Sequence, residues 1–221
     1  MFIGHYSAAF AARRAAPAVS LPAYFIACQL ADLCWSVLVL LGVEKLRVIP
    51  GFTASNGLDL YFMPYTHSLA AAIIWSLGAA LLFWLFTPSL AARLRTAAVV
   101  GMSVGSHWLL DLLVHVPDLP LWFDDVKVGL GWWNYRAFAL LLELALLWAG
   151  VLLCLGRIAA NRARYLVLAT LMSAIQVSSL ILQPAQAEMV ALELLATHAA
   201  LVGGAWWACK RPATSALPEG A

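Results

Sequence analysis

Six stretches of this chain, roughly 17–41, 68–86, 96–115, 137–156, 165–182 and 189–209, are mostly apolar. Each is close to the ~20 residues that an α-helix needs to cross ~30 Å of hydrocarbon. Inside a bilayer every backbone N–H and C=O must be satisfied internally, so such segments are expected to be helices. Composition agrees: 64% of the 221 residues are hydrophobic, 11% are charged, and the mean hydropathy is +0.88. Soluble domains average about 45–50% apolar and about 25% charged residues, and a chain of this size cannot hide so much apolar surface in its own core. A soluble enzyme, a disordered chain and a nucleic-acid binder are therefore disfavoured. The predicted fold is an all-α polytopic membrane protein with about six transmembrane helices. Ile49-Pro50-Gly51, Thr87-Pro88-Ser89 and Val116-Pro117-Asp118 punctuate the ends of the first three spans. With no internal repeat and short linkers, one helical domain over 1–210 is expected, followed by a polar tail at 211–221.

Lys and Arg are unevenly shared between the two ends of the spans. One side holds nine, Arg13, Arg14, Arg93, Arg95, Arg157, Arg162, Arg164, Lys210 and Arg211, and the other holds four, Lys45, Arg47, Lys127 and Arg136. The positive-inside rule then places both termini in the cytoplasm. Residues 2–12 are apolar but span only ~16 Å as a helix, and Arg13 and Arg14 follow the apolar run, the reverse of a cleavable signal peptide. Two placements stay open for this segment: a half-membrane helix that lifts His5 towards mid-depth, or an amphipathic helix on the inner surface. Cys28, Cys34, Cys154 and Cys209 lie in apolar segments without paired spacing and read as small buried hydrophobes.

The ionisable residues within the spans are sorted by depth. Asp32, His67, His107, Asp111, His115, Glu143, Glu193 and His198 all fall within ~14 Å of the extracytoplasmic boundary, counting 1.5 Å per residue. The cytoplasmic halves carry none. Intramembrane charge is costly and usually marks a site, so the pattern predicts a polar cavity opening outward. His107, Asp111 and His115 at i, i+4 and i+8 share one helical face, and a His and an Asp one turn apart can bind the same metal ion. The alternative is a His–Asp hydrogen bond made for packing alone. Asp32 has no Lys or Arg within any span to pair with, which leaves a histidine or a bound cation. Glu143 and Glu193 read as partners of a ligand, as a general base, or as quietly packed carboxylic acids. Asp118, Asp124 and Asp125 are expected in a solvated loop, and Trp132 and Trp133 in an interfacial aromatic belt.

Read in order, Gly4-His5-Tyr6, Gln29-Leu30-Ala31-Asp32-Leu33-Cys34-Trp35, Tyr65-Thr66-His67-Ser68 and Ser106-His107-Trp108-Leu109-Leu110-Asp111 resemble a bacterial inner-membrane family. It is the family described as YdjM-like, or LexA-regulated, metal-dependent hydrolases. That family is in turn similar to the zinc-dependent phospholipase C and P1 nuclease group of helical phosphodiesterases. The resemblance implies that His5, Asp32, His67, His107 and Asp111 are metal ligands, with His115 as a further candidate. The soluble group presents the amino group of an N-terminal Trp, where this chain has Met1-Phe2.

Two functions follow as expectations. The first is a membrane-embedded hydrolase of the bacterial inner membrane, using one or two divalent ions, zinc or else manganese or iron, on a phosphodiester or lipid-like substrate at the extracytoplasmic side. The second is a metal- or proton-binding transporter or accessory protein without hydrolysis, for which the apolar cytoplasmic halves leave half a pathway missing.

Overall fold

A computed structural model describes residues 1–87, 90–156 and 161–210, with the side chains of 90 and 91 excepted. The expected tail at 211–221, Arg211 and Arg157 lie outside the described residues. The chain is mostly helical, as its apolar runs require. Eight α-helices are present among the described residues: α1 (Tyr6–Ala15), α2 (Leu21–Cys28), α3 (Leu30–Leu40), α4 (Leu69–Phe86), α5 (Leu90–Val114), α6 (Arg136–Leu155), α7 (Arg162–Ser179) and α8 (Ala187–Cys209). Short 3-10 turns precede α1 at Ile3–His5 and α6 at Trp132–Asn134.

Four of these helices, α4, α5 from Ala92, α6 and α8, are long and apolar enough to cross a membrane. The pair α2 and α3 makes a fifth candidate, bent by 56°. The first expected span is therefore two helices. The break falls at Gln29 (φ −111°, ψ 12°), whose buried side-chain amide donates to the carbonyl of Phe2 at 3.2 Å. The expected span at 165–182 corresponds to α7. Its 18 residues include Arg162, Arg164, Ser173, Gln176, Ser178 and Ser179, and it is not among the helices apolar enough to qualify.

The N-terminal segment resolves in favour of the interior. Ile3, Tyr6, Ala9 and Phe10 are fully buried and pack with Phe25, Leu147, Tyr165 and Leu201 in one apolar cluster. An amphipathic helix lying on a surface would leave half its circumference wet, and α1 does not. Its close approach to α6 depends on Gly150, where a Cβ would sit 2.7 Å from Ser7 Cα and 2.8 Å from the Ser7 carbonyl oxygen.

Two short hairpins, which the apolar pattern did not suggest, lie beside the expected loops' turns. β1 (Lys45–Val48) pairs antiparallel with β2 (Leu58–Phe62), and β3 (Leu119–Trp122) with β4 (Asp125–Val128). Leu46, Leu60 and Leu119 are buried with Trp35, Met63, Trp133 and Val190, so the hairpins cap one end of the bundle. Lys127 ties them together through the Tyr61 carbonyl at 2.6 Å. Basic residues gather accordingly. Arg14 donates to the Leu153 carbonyl and Arg164 to that of Lys210, at the end away from the hairpins, while Arg47 pairs with Asp59 within them. Cys28 and Cys154 are buried as expected, whereas Cys34 and Cys209 are only half-buried.

Gly150→Ala is expected to lower the melting temperature of the detergent-solubilised protein, with an overpacking cost of about 1–3 kcal/mol. Gly203→Ala, whose Cβ would meet nothing within 4 Å, should leave it unchanged or raise it. Equal melting curves for the two variants would contradict the tight α1–α6 contact.

Candidate metal centre

Asp111, on α5 and 1% exposed, is the point on which the polar residues converge. Its Oδ2 lies 3.1 Å from His107 Nε2, one turn earlier on the same helix, and 3.8 Å from His67 Nε2, just before α4. Its Oδ1 lies 3.1 Å from His5 Nε2 and 3.5 Å from His115 Nε2, and it also accepts from the Met1 amine. Asp32, at the start of α3, adds a second carboxylate. Its Oδ1 is 3.3 Å from His67 Nε2 and 3.5 Å from His107 Nε2, and its Oδ2 is 3.8 Å from His198 Nε2. The His5 and His107 rings stack at 3.8 Å. His5, His107 and Asp111 form one set with ligand atoms within 4.8 Å of one another, and Asp32, His67 and His107 form another.

The far nitrogens of three rings are held by acceptors. His107 Nδ1 is 2.8 Å from the carbonyl of Cys28, His67 Nδ1 is 2.7 Å from Thr66 Oγ1, and His115 Nδ1 is 2.8 Å from Asp118 Oδ1. The Cys28 carbonyl is available because it ends α2, where helix termini leave carbonyls without intrahelical partners. The break at Gln29 thus serves His107 directly. A ring whose Nδ1–H is donated to a carbonyl or a carboxylate turns an unprotonated Nε2 inward. Those lone pairs then face carboxylate oxygens at 3.1–3.8 Å, where the Met1 ammonium on Asp111 Oδ1, a second proton on a ring, or a bound cation can balance the charge. His107 Nε2 lies near both carboxylates, yet its angles to them are poor for a hydrogen bond.

The donor set fits a metal ion. Ligands about 2.0–2.1 Å from a tetrahedral zinc lie about 3.3 Å apart, and the closest N···O separations here are 3.1–3.5 Å. Imidazole nitrogen and carboxylate oxygen suit Zn²⁺, Mn²⁺ or Fe²⁺, and an outer partner on each Nδ1 is the usual companion of a ligating histidine.

A cavity of about 800 Å³ reaches this cluster. Asp32, His67, Asp111 and His115 line its polar end, and Leu140, Ile175 and Leu194 stand among its apolar walls. Glu143 and Glu193 both line it, and neither belongs to the two ligand sets. Glu143, buried on α6, accepts the amides of Phe2 (2.9 Å) and Gly4 (3.0 Å) at Oε2 and so pins the N-terminal turn that carries His5. Glu193, on α8, is exposed.

Three sequence expectations change. Asp118 is 6% exposed and bonds to His115, so it is not a solvated loop residue; the His115-x-x-Asp118 spacing was its signal. Trp133 is buried against the His115 ring at 4.2 Å rather than standing in an interfacial belt. His198, not proposed as a site residue from the sequence, points Nε2 at Asp32 and holds the Tyr6 hydroxyl at 2.9 Å through Nδ1. Asp124 and Asp125 are exposed as expected. Behind His67, Glu44 is 1% exposed, and burial pushes its carboxyl above the ordinary range, against the pull of its bonds to Thr66.

A family model described as YdjM inner membrane protein matches residues 1–190, and the chain belongs to that family. No curated protein and no solved structure is significantly similar to it.

Full-length protein purified without chelator is expected to carry divalent metal by elemental analysis, and His107→Ala to lose it. Asp124→Ala, on an exposed side chain, should keep wild-type content. Metal loss in Asp124→Ala equal to that in His107→Ala would move the centre to the loop.

Proposed function

We propose that this YdjM inner membrane family member is a metal-dependent hydrolase acting on a lipid-like phosphodiester at the extracytoplasmic side of the bacterial inner membrane. The observation that carries the reading is the convergence of His5, His67, His107 and His115 Nε2 atoms on two carboxylates, Asp32 and Asp111, that line a largely apolar cavity. Asp111 divides this set: Oδ1 faces His5 and His115, whereas Oδ2 faces His107 and His67, with Asp32 Oδ1 beside the latter pair. Asp111, with one oxygen facing each group, would help to hold one or two divalent ions together with these histidines and Asp32. Bound divalent ions supply Lewis-acid polarisation of a phosphoryl oxygen and lower the pKa of water towards neutrality.

The chain's own residues do the rest. Trp133 against His115 and the leucines of α6 and α8 make the walls beside the cluster apolar. The apolar walls accept the hydrocarbon part of an amphiphile, and a volume of about 800 Å³ suits one small-molecule ligand. Glu193 is the candidate general acid or base, because one oxygen of Glu143 is committed to the amides of Phe2 and Gly4. The orientation rests on the nine-to-four division of Lys and Arg, which puts both termini in the cytoplasm and the hairpin end outside.

Purified protein in mixed micelles is expected to cleave a phosphodiester lipid only when metal-loaded. Asp111→Asn should abolish turnover and empty both positions, whereas His5→Ala should lose one ion of the two. Full metal occupancy in Asp111→Asn would end the assignment of Asp111 as a ligand; a loaded wild type inert towards phosphodiester, ester and amide lipids would end the hydrolase reading. For orientation, a single cysteine at position 124 should label in intact spheroplasts, and labelling only after permeabilisation would reverse the topology.

A further inference from the structure

Among the three rings with an accepting partner on Nδ1, His67 is held in a different way from the others. His107 leans on a backbone carbonyl and His115 on a carboxylate directly. His67 leans on a hydroxyl, and a hydroxyl can donate or accept, so by itself it would not choose a tautomer. The choice is made one step further back. Thr66 Oγ1 lies 2.6 Å from Glu44 Oε2, while Glu44 Oε1 accepts the amides of Tyr65 at 2.7 Å and Thr66 at 3.1 Å. Three donors converge on this buried group, which is the environment of an acceptor-only carboxylate.

We propose that Glu44 and Thr66 form a relay that locks His67 in the Nδ1–H tautomer and thereby presents its Nε2 lone pair to Asp32 and Asp111. The hydroxyl has one proton. At 2.6 Å from a carboxylate that proton belongs to the short, charge-assisted bond with Glu44. Oγ1 then has only lone pairs to offer His67 Nδ1 at 2.7 Å, so the ring must be the donor. In the neutral ring Nε2 is then left unprotonated, 3.3 Å from Asp32 Oδ1. Neither Glu44 nor Thr66 lines the cavity, so both are positioning residues rather than participants in chemistry.

Two consequences are specific to this geometry. Glutamine cannot replace Glu44, because an amide offers one acceptor oxygen where Glu44 uses two. Serine can replace Thr66, because the relay needs only the hydroxyl. Glu44 also lies just before β1, so the relay couples the outer hairpin to the orientation of a ring at the centre.

The relay rests on the metal-centre reading only for its effect on affinity; the tautomer can be read without metal. The test uses full-length protein in micelles with ¹⁵N-labelled histidine, assigned by His67→Gln. Metal-free wild type and Thr66→Ser are expected to show His67 with a protonated Nδ1 and a bare Nε2, and Thr66→Val to lose that preference. Zn²⁺ affinity by chelator competition should fall about 10–100-fold in Thr66→Val and in Glu44→Gln, as for loss of an outer partner elsewhere. Thr66→Ser should stay within about threefold of wild type, a rescue that a merely space-filling role would not require. An Nε2–H tautomer in the wild type would overturn the proposal, as would wild-type affinity in both Thr66→Val and Glu44→Gln. If Thr66→Val does not fold, the wild-type tautomer and Glu44→Gln decide. A wild type that binds no Zn²⁺ would sink the metal centre, while the tautomer would still decide the relay.

Discussion

The buried carboxylate of Asp111 organises the bundle around it. An ionised group withdrawn from water is tolerated only when paired and hydrogen-bonded, and in a bilayer no water stands by to help. Asp111 therefore draws its partners from separate parts of the chain: His107 and His115 from α5 and its end, His67 from the start of α4, and His5 from the N-terminal turn. Each partner must arrive at one depth and from one direction. The bend between α2 and α3 and the burial of α1 are ways of meeting that requirement.

The N-terminal segment shows how the requirement shapes backbone. The apolar stretch of residues 2–12 is too short to span, so as a free helix it would rest at an interface. Two contacts hold it inside instead. Glu143 accepts the Phe2 and Gly4 amides, which supplies acceptors for donors that a helix start leaves unpaired. Gly150 lets the backbone of α1 meet that of α6 without an intervening methyl group. His5 reaches Asp111 as a result, with its ring flat against His107.

Much of this was legible in the sequence, because in lipid the polarity of a residue almost dictates its place. The apolar runs marked α4, α5, α6 and α8, and the common depth of Asp32, His67, His107 and Asp111 marked the cluster. What escaped depended on local chemistry that hydropathy does not register. A single Gln29 splits the first span, yet its window is as apolar as an unbroken helix. Asp118 looks like its neighbours Asp124 and Asp125, and only the turn after Pro117, which brings it back to His115, separates buried from solvated. The hairpin strands run for only four or five residues each, too briefly to stand out between long apolar segments. Thr66 and Glu44 carry no signal in periodicity, since their role comes from a loop folding back on itself.

The two ends of the bundle obey opposite rules, and the contrast bears on what the cluster is for. Towards the hairpins lie the cavity, the carboxylates and the histidines. Towards the other end, Phe10, Leu21, Phe25, Val151 and Ala208 close an apolar cluster, with Arg14 and Arg164 capping carbonyls of helix ends beyond it. A path for ions or protons needs polar groups or water along its whole length, because each unsatisfied charge in hydrocarbon costs several kcal/mol. Among the described residues the ionisable cluster ends at about His5 and His198, where Tyr6 meets His198 and the packing becomes mostly apolar. The cavity and the ionisable cluster share one end of the bundle. Buried histidines, oriented from behind and turned towards shared carboxylates, make that end a place that could hold an ion.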